Sequence, residues 1–416
     1  MLRDRSIFVC LSAFFLLSSP LAHGLTLHEA LARVASHPAL APLALEEERA
    51  TARAGDAGRR GPDTLALDLE NVGGDLNGLT ETEATLALSR PLLDRHRVRA
   101  ARTLAALDGE RARFAQARRR WELSSAVQRT FHALQAAIAL AEVASEAVDL
   151  ATDLRDATLV RVEAGSSPPA ERLSADLTLE RARAELKQRQ GAVRQLLQEL
   201  ARATGAATIQ ASEIEGQLSP DLTLPDRATL EANLLATHPA LRQLALDRRE
   251  AAGQLAQARA DTRPEWAISG GLRHLRAAEA RDRLTFVIGL EASLPSPRAT
   301  RGARQALALR QAQIEAEERQ QRHELLTTLA EAVERFTTAR AVALDLRDRV
   351  LPAALRLHEL ALDGYRLGKT SQLAVYDARQ TLLASRREYF QSLDELYQAV
   401  DTIEQLCGVC LVGESH

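Results

Sequence analysis

Aromatic residues are scarce: two Trp, four Tyr and eight Phe, 3% of a 416-residue chain. A compact globular core wants larger side chains. The scarcity, with an abundance of the helix formers Ala, Leu, Arg, Glu and Gln, points to thin helix-on-helix packing. Charge of one sign is not in excess either. The formal net charge of -3 argues against a polyanion-binding surface, so no nucleic-acid partner is expected. Long hydrophobic runs are missing beyond residue 24: no apolar stretch reaches eighteen residues, too little for a membrane-crossing helix. Catalytic groupings are missing as well. There is no Gly-x-Ser-x-Gly elbow and no His-x-x-x-His pair, and "HELLT" at 323–327 and "HELAL" at 358–362 lack the second His of a zinc-protease helix. The expectation is therefore no enzyme, no cofactor and no resident metal, with the scattered His residues serving at the surface or as helix caps.

Cysteine is nearly absent. Cys10 lies near the N-terminus, and Cys407 and Cys410 close the last helical segment. A redox Cys-x-x-Cys motif needs a thioredoxin-like strand–helix context, which these two lack. A tail disulfide, idle thiols, or a soft-cation site completed by His416 remain the alternatives.

Near the C-terminus, "LDGYRLGKTSQL" at 362–373 contains Gly368-Lys369-Thr370, the ending of a phosphate-binding loop. That loop needs a Gly five positions before Gly368, where Asp363 stands, and a buried strand in front, where helical periodicity stands instead. Nucleotide binding is not expected.

The N-terminus reads as a secretory signal peptide over 1–24. Arg3 and Arg5 precede an apolar run from Ile7 to Leu17, and Ala22-His23-Gly24 gives a small-x-small cleavage pattern. Eleven apolar residues are too few to anchor the chain by spanning a bilayer. The exported remainder can still enter a membrane as strands.

That remainder is written twice. "ASHPALAPLALEEERA" at 35–50 recurs as "ATHPALRQLALDRREA" at 236–251, and "AGSSPPAERLSA" at 164–175 answers "LGKTSQLAVYDA" at 367–378. The first structural repeat is expected over 25–205 and the second over 226–408, with 206–225 as a linker and 409–416 as a tail. Each copy predicts a short helix ending at His37-Pro38 or His238-Pro239 and a second helix to about Gly58 or Thr262. Two short alternating segments follow, then a helix of about seventy residues, a Gly turn and a return helix. Leu344, Leu351, Leu355 and Leu362 form one stripe on the second long helix, and Leu346, Val350, Leu357 and Leu360 form another beside it. Two stripes imply neighbours on both sides, as in a wall of helices. Pro352 should kink the rod or mark a change of packing.

Strict period two predicts half-buried strands at about 64–71, 82–90, 265–273 and 284–293. Leu65, Leu67 and Leu69 alternate with Ala66, Asp68 and Glu70, and Leu284, Phe286, Ile288 and Leu290 alternate with Thr285, Val287, Gly289 and Glu291. The lengths suit tilted membrane-spanning strands. A lone hairpin cannot cross lipid with unpaired edge amides, so two hairpins per chain must close with those of other subunits. Soluble hairpins capping a helical rod are the competing reading. Counting against the membrane reading, only Trp266 and Phe286 are available for the aromatic girdles of a barrel. The polar face would line the lumen with Asp68, Glu70, Glu83, Glu265 and Glu291, favouring cations in the manner of acidic channel rings.

This order of parts resembles the TolC family of outer membrane efflux proteins over about 25–408. "LDLENVGG" at 67–74 and "ETEATLALSRPLLDRHRVRAA" at 81–101 look most like its CzcC-type branch, associated with heavy-metal cation efflux. The resemblance implies a mostly α chain with a small membrane β part. It implies a homotrimer whose twelve strands form one outer membrane barrel, continued by an α-helical barrel across the periplasm. It also implies two partners, a periplasmic adaptor (membrane fusion protein) and an inner membrane pump of the resistance-nodulation-division type. The implied function is a passive exit duct for metal cations. The same build serving drugs or secreted polypeptides is the alternative, and a periplasmic coiled-coil scaffold or adaptor is the alternative of another class.

The resemblance also implies site residues. The Gly turns would form the adaptor-contacting tip, here Gly165 and Ser166 in the first copy and Gly368, Lys369 and Thr370 in the second. Tyr365 and Asp377 match family positions at the closable aperture, and Glu171 is the corresponding acid of the first copy. Ala374 stands where a second aspartate would be, which thins the acidic ring. An acid–base latch would pair Glu171 with Lys369, one residue displaced from the family position.

Overall fold

The computed structural model describes residues 24–72, 82–276, 283–295, 301–367 and 369–408. Helix starts are set by local chemistry. Thr26 and Glu29 make a reciprocal capping box before α1 (Leu27–Arg33), and a 3₁₀ turn at Pro38–Leu40 leads into α2 (Ala41–Asp56). Strands β1 (Thr64–Glu70) and β2 (Glu83–Pro91) follow. Asp94 then caps α3 (Arg95–Glu163), a 69-residue helix about 104 Å long. Helix α4 (Pro169–Thr204) returns and ends at Gly205, whose φ of 73° is the left-handed conformation glycine adopts without penalty. The second copy repeats the plan with α5 (Arg227–Thr237), α6 (Pro239–Ala260), β3 (Glu265–Leu275), β4 (Arg283–Ser293), α7 (Arg301–Asp345), α8 (Leu351–Arg366) and α9 (Gln372–Cys407).

The helices lie in four parallel tracks. α3 is flanked on one side by α2 and α4 and on the other by α6 and α9, with α7 and α8 forming the outermost track beside α6 and α9. α2 and α6 occupy the half of the wall nearer the strands, and α4 and α9 the half nearer the Gly turns. Two cores sit midway along the rods. Phe131, Val127, Leu134 and Leu200 pack with Leu25 and Val34 in one, and Phe336, Leu329, Leu393 and Leu396 pack with Leu230 and Leu234 in the other. The segment 206–225 is laced into both: Ile209 and Ile214 pack on the first core, Leu218, Leu222 and Leu224 on the second.

The second rod differs from a continuous helix. A π-helical turn at Leu346–Val350 separates α7 from α8. Pro352 stands at the start of α8, where it cannot donate to the preceding turn, and the widened turn absorbs the mismatch. Arg347 on that turn pairs with Asp348 and with Asp221 of the linker, each at 2.7 Å. The double stripe resolves unequally. Ala343, Ala354 and Ala361, which lie between the two stripes, are buried, while Leu355 of the first and Leu357 and Leu360 of the second stay exposed.

The four strands form one antiparallel sheet in the order β1-β2-β3-β4, leaving β1 and β4 as edges. The central β2–β3 pairing, Leu86 opposite Leu272 and Ser89 opposite Ser269, joins the hairpins of the two copies. Among the described residues no helix is long and apolar enough to cross a membrane.

Candidate functional site

The register sorts the sheet into two chemical faces. Leu65 lies opposite Leu88, Leu67 opposite Leu86, Leu86 opposite Leu272 and Leu272 opposite Phe286, so apolar side chains from all four strands share one face. None of the described residues covers that face: Phe286 is 87% exposed and Ile288 84%. Trp266 and Phe286 both belong to it. Arg90 lies on the same face at the end nearer the helices and is held by Asp63 at 2.8 Å.

The five acids anticipated for the opposite face, Asp68, Glu70, Glu83, Glu265 and Glu291, all fall on it. They are not equivalent. Glu83 is paired with Arg273 at 3.4 Å, and Arg273 Nε also donates to Thr85 Oγ1 at 3.0 Å. Glu265 is paired with Arg97 from the first turns of α3. Asp68, Glu70 and Glu291 have no basic partner among the described residues, and Glu70 lies directly across from Glu83. Arg97 also donates to the carbonyls of Ala260, Asp261 and Arg263, closing the end of α6 where it turns into β3.

At the far end of the rods the first tip turn is a glycine C-cap. Gly165 has φ of 72°, its N–H donates to Val162 O at 3.0 Å, and Ser166 donates to Arg161 O through both N–H and hydroxyl. In the second turn Gly368 lies outside the described residues. Lys369 N–H donates to Gly364 O at 2.7 Å, and Thr370 Oγ1 donates to Ala361 O at 2.9 Å. The Thr of the apparent phosphate loop therefore closes a helix end. Glu171 is exposed in the first turn of α4, where a carboxylate suits the helix dipole. Tyr365 and Asp377 are also exposed, and within the single chain no ion pair joins Glu171 to Lys369 among the described residues. Burial, with the Asp377 charge adding to it, raises the pKa of the neighbouring Tyr376 phenol.

The ties between α3 and α9 escaped the sequence reading. Arg379 pairs with Asp153 at 3.3 Å and Arg386 with Glu146 at 2.6 Å. The two pairs step by seven residues in opposite directions along antiparallel helices, with Leu383, Val143 and Leu150 packed as an apolar layer between and beside them. Arg387 reaches Glu185 of α4 at 3.3 Å. Deeper, His132 Nδ1 donates to Asp401 Oδ1 at 2.9 Å with both residues buried, and the Tyr397 ring lies edge-on to the imidazole. A carboxylate can only accept, so Nδ1 carries the proton. The available signal was Asp401 itself, an acid four residues after Tyr397 on the apolar face of α9.

His37 and His238, the paired His-Pro residues, accept from Ala39 N–H and Ala240 N–H through Nδ1 and so cap the helices that follow. Cys407 is buried with its thiol donating to Leu230 O at 3.5 Å, and burial pushes its pKa up to about 11. Cys410 and His416 lie outside the described residues.

The family model described as outer membrane efflux protein matches residues 28–206 and 230–409. The chain is 30% identical over 294 residues to the cobalt-zinc-cadmium resistance protein CzcC of Cupriavidus metallidurans, covering 70% of this chain and 68% of that one. Among solved structures, the Campylobacter jejuni CmeC outer membrane channel aligns at a TM-score of 0.73 and 14% identity over 92% of this chain and 85% of its own. The outer membrane protein VceC of Vibrio cholerae aligns at 0.71 and 18% over 92% and 96%.

Proposed function

The chain belongs to the outer membrane efflux protein family, and on that premise we propose that it is the trimeric exit duct of a tripartite system exporting heavy-metal cations. It is an outer membrane efflux channel and not an enzyme. The observation that carries the finer reading is the four-stranded sheet with an uncovered apolar face and two unpaired edges. An 11-residue strand tilted by about 45° spans about 26 Å, the height of a barrel's apolar band. In lipid the edge amides need partners. Pairing β4 of each copy with β1 of the next closes twelve strands around the polar face and leaves the apolar face to the membrane.

The helical tracks support the same closure. The outermost α7–α8 track of one subunit meets the α2–α4 track of the next, covering the exposed Leu357 and Leu360 stripe. That junction brings Lys369 of one copy toward Glu171 of its neighbour, so the latch belongs between subunits. Gly165, Ser166, Gly368, Lys369 and Thr370 form the surface for a periplasmic adaptor, behind which an inner membrane pump supplies the cargo, and Glu171, Tyr365 and Asp377 line the aperture. Metal cations as cargo rest on the likeness to the cobalt-zinc-cadmium resistance protein and on the unpaired acids of the polar face.

Cell fractionation and gene deletion test this reading. Heat-modifiable trimers in the outer membrane and growth defects on zinc, cadmium, cobalt, nickel or copper are expected. Soluble periplasmic protein would overturn the duct, and drug sensitivity without metal sensitivity would move the cargo to organic cations.

A further inference from the structure

We propose that an arginine cluster at the base of the sheet seats phosphate headgroups of anionic phospholipid in the periplasmic leaflet of the outer membrane, an inference that rests on the barrel reading above. Arg95, Arg99 and Arg102 recur at i, i+4 and i+7 and are all exposed. With Leu93, Val98 and Thr103 they line a groove of 660 Å³ on α3. A second groove of 280 Å³ shares Arg99 and Thr103 and adds His96, Arg259 and Arg263. No acid lines either groove among the described residues.

These guanidinium groups are unlike their neighbours. Arg90, Arg97, Arg111 and Arg113 each hold a carboxylate, and Arg249 at the groove's edge is held by Glu110. Arg95, Arg99 and Arg102 hold none among the described residues. They do not serve the helix either: the first turn of α3 has no acid, and positive charge there is like-signed with the helix dipole. No counter-charge for them lies among the described residues.

Position selects the source. Pro91 ends β2, Leu92 and Leu93 follow as exposed apolar residues, and Arg95 begins the helix. At 1.5 Å per residue Arg99 lies about 6 Å and Arg102 about 10 Å below Arg95. The headgroup layer beneath a hydrocarbon core is about 5–7 Å thick, so the cluster begins where the lipid-facing apolar band stops and runs through that layer. At 100° per residue the three arginines lie about 140–200° around α3 from Arg97, which reaches the polar-face Glu265. They therefore project on the side that continues the apolar face. A guanidinium fork matches phosphate in a bidentate fashion, and exposed Leu93 beside half-buried Val98 suits the adjoining acyl chain.

Native mass spectrometry of the detergent-solubilised full chain tests this, titrating phosphatidylglycerol or phosphatidylcholine onto wild type and the Arg95→Gln/Arg99→Gln/Arg102→Gln variant. Wild type should retain phosphatidylglycerol preferentially, by about fivefold for each arginine engaged, and the variant should lose that preference. Equal retention of the two lipids by wild type overturns the proposal without reference to any variant. So does displacement by millimolar glycerol phosphate, which would make the grooves a soluble-phosphate site. Failure of the barrel reading is read separately, as recovery of wild type outside the membrane fraction.

Discussion

The His132–Asp401 hydrogen bond is a buried polar contact between the two copies, joining α3 of the first to α9 of the second. Removing the carboxylate leaves the buried His132 Nδ1–H without its acceptor, at a cost of about 1–3 kcal/mol. Asp401→Ala should lower the opening free energy of the α3–α9 contact by about that amount, read by native-state hydrogen exchange. Loss below about 1 kcal/mol would mean that water replaces the carboxylate. Cys407 gives a second prediction at this scale. Its thiol is raised from 9.0 to about 11 by burial, so the stability it contributes is held at neutral pH and lost progressively as pH climbs between those two values. Iodoacetamide at pH 8 should leave it unmodified until the protein is denatured, as mass spectrometry would register.

Among the elements, the sheet depends on one close approach between hairpins. A Cβ added at Gly271 would overlap the Leu86 carbonyl oxygen and lie 2.8 Å from Ala87 Cα, both backbone atoms that cannot step aside. Gly271→Val should therefore part β2 from β3 and abolish heat-modifiable trimers on gels, whereas Gly270→Ala, with open space around it, should preserve them. The period-two alternation of Leu, Ile and Phe made the strands legible from sequence alone, since it maps directly onto two faces. The break in the second rod was legible only as Pro352. The π turn before it, and the Arg347–Asp221 tie that fastens the linker there, depend on a partner 126 residues away.

For the whole molecule, the acids of the polar face and the latch yield separate electrical predictions. Glu83 and Glu265 are neutralised by Arg273 and Arg97, so selectivity should rest on Asp68, Glu70 and Glu291. Replacing these three with Asn, Gln and Gln should pull the cation-over-anion permeability ratio in planar bilayers toward unity, while Glu83→Gln should change it little. Lys369→Glu should raise single-channel conductance by setting like charges against each other at the proposed junction between subunits. Unchanged conductance would discard the Glu171–Lys369 latch and leave the Arg379–Asp153 and Arg386–Glu146 pairs as the ties at that end of the wall.

By itself the sequence determined whatever is periodic or local: the duplication, the long helices, the strands, the face each strand residue takes and the glycine turn at 165. These follow from side-chain spacing and backbone preference within one element. Only the tertiary structure decided that His132 finds Asp401 and, among the described residues, which acids stay unpaired and that three arginines at the top of α3 are left without partners. Those outcomes depend on which atoms from distant segments arrive within about 3 Å of one another, and no spacing within a single segment encodes that distance.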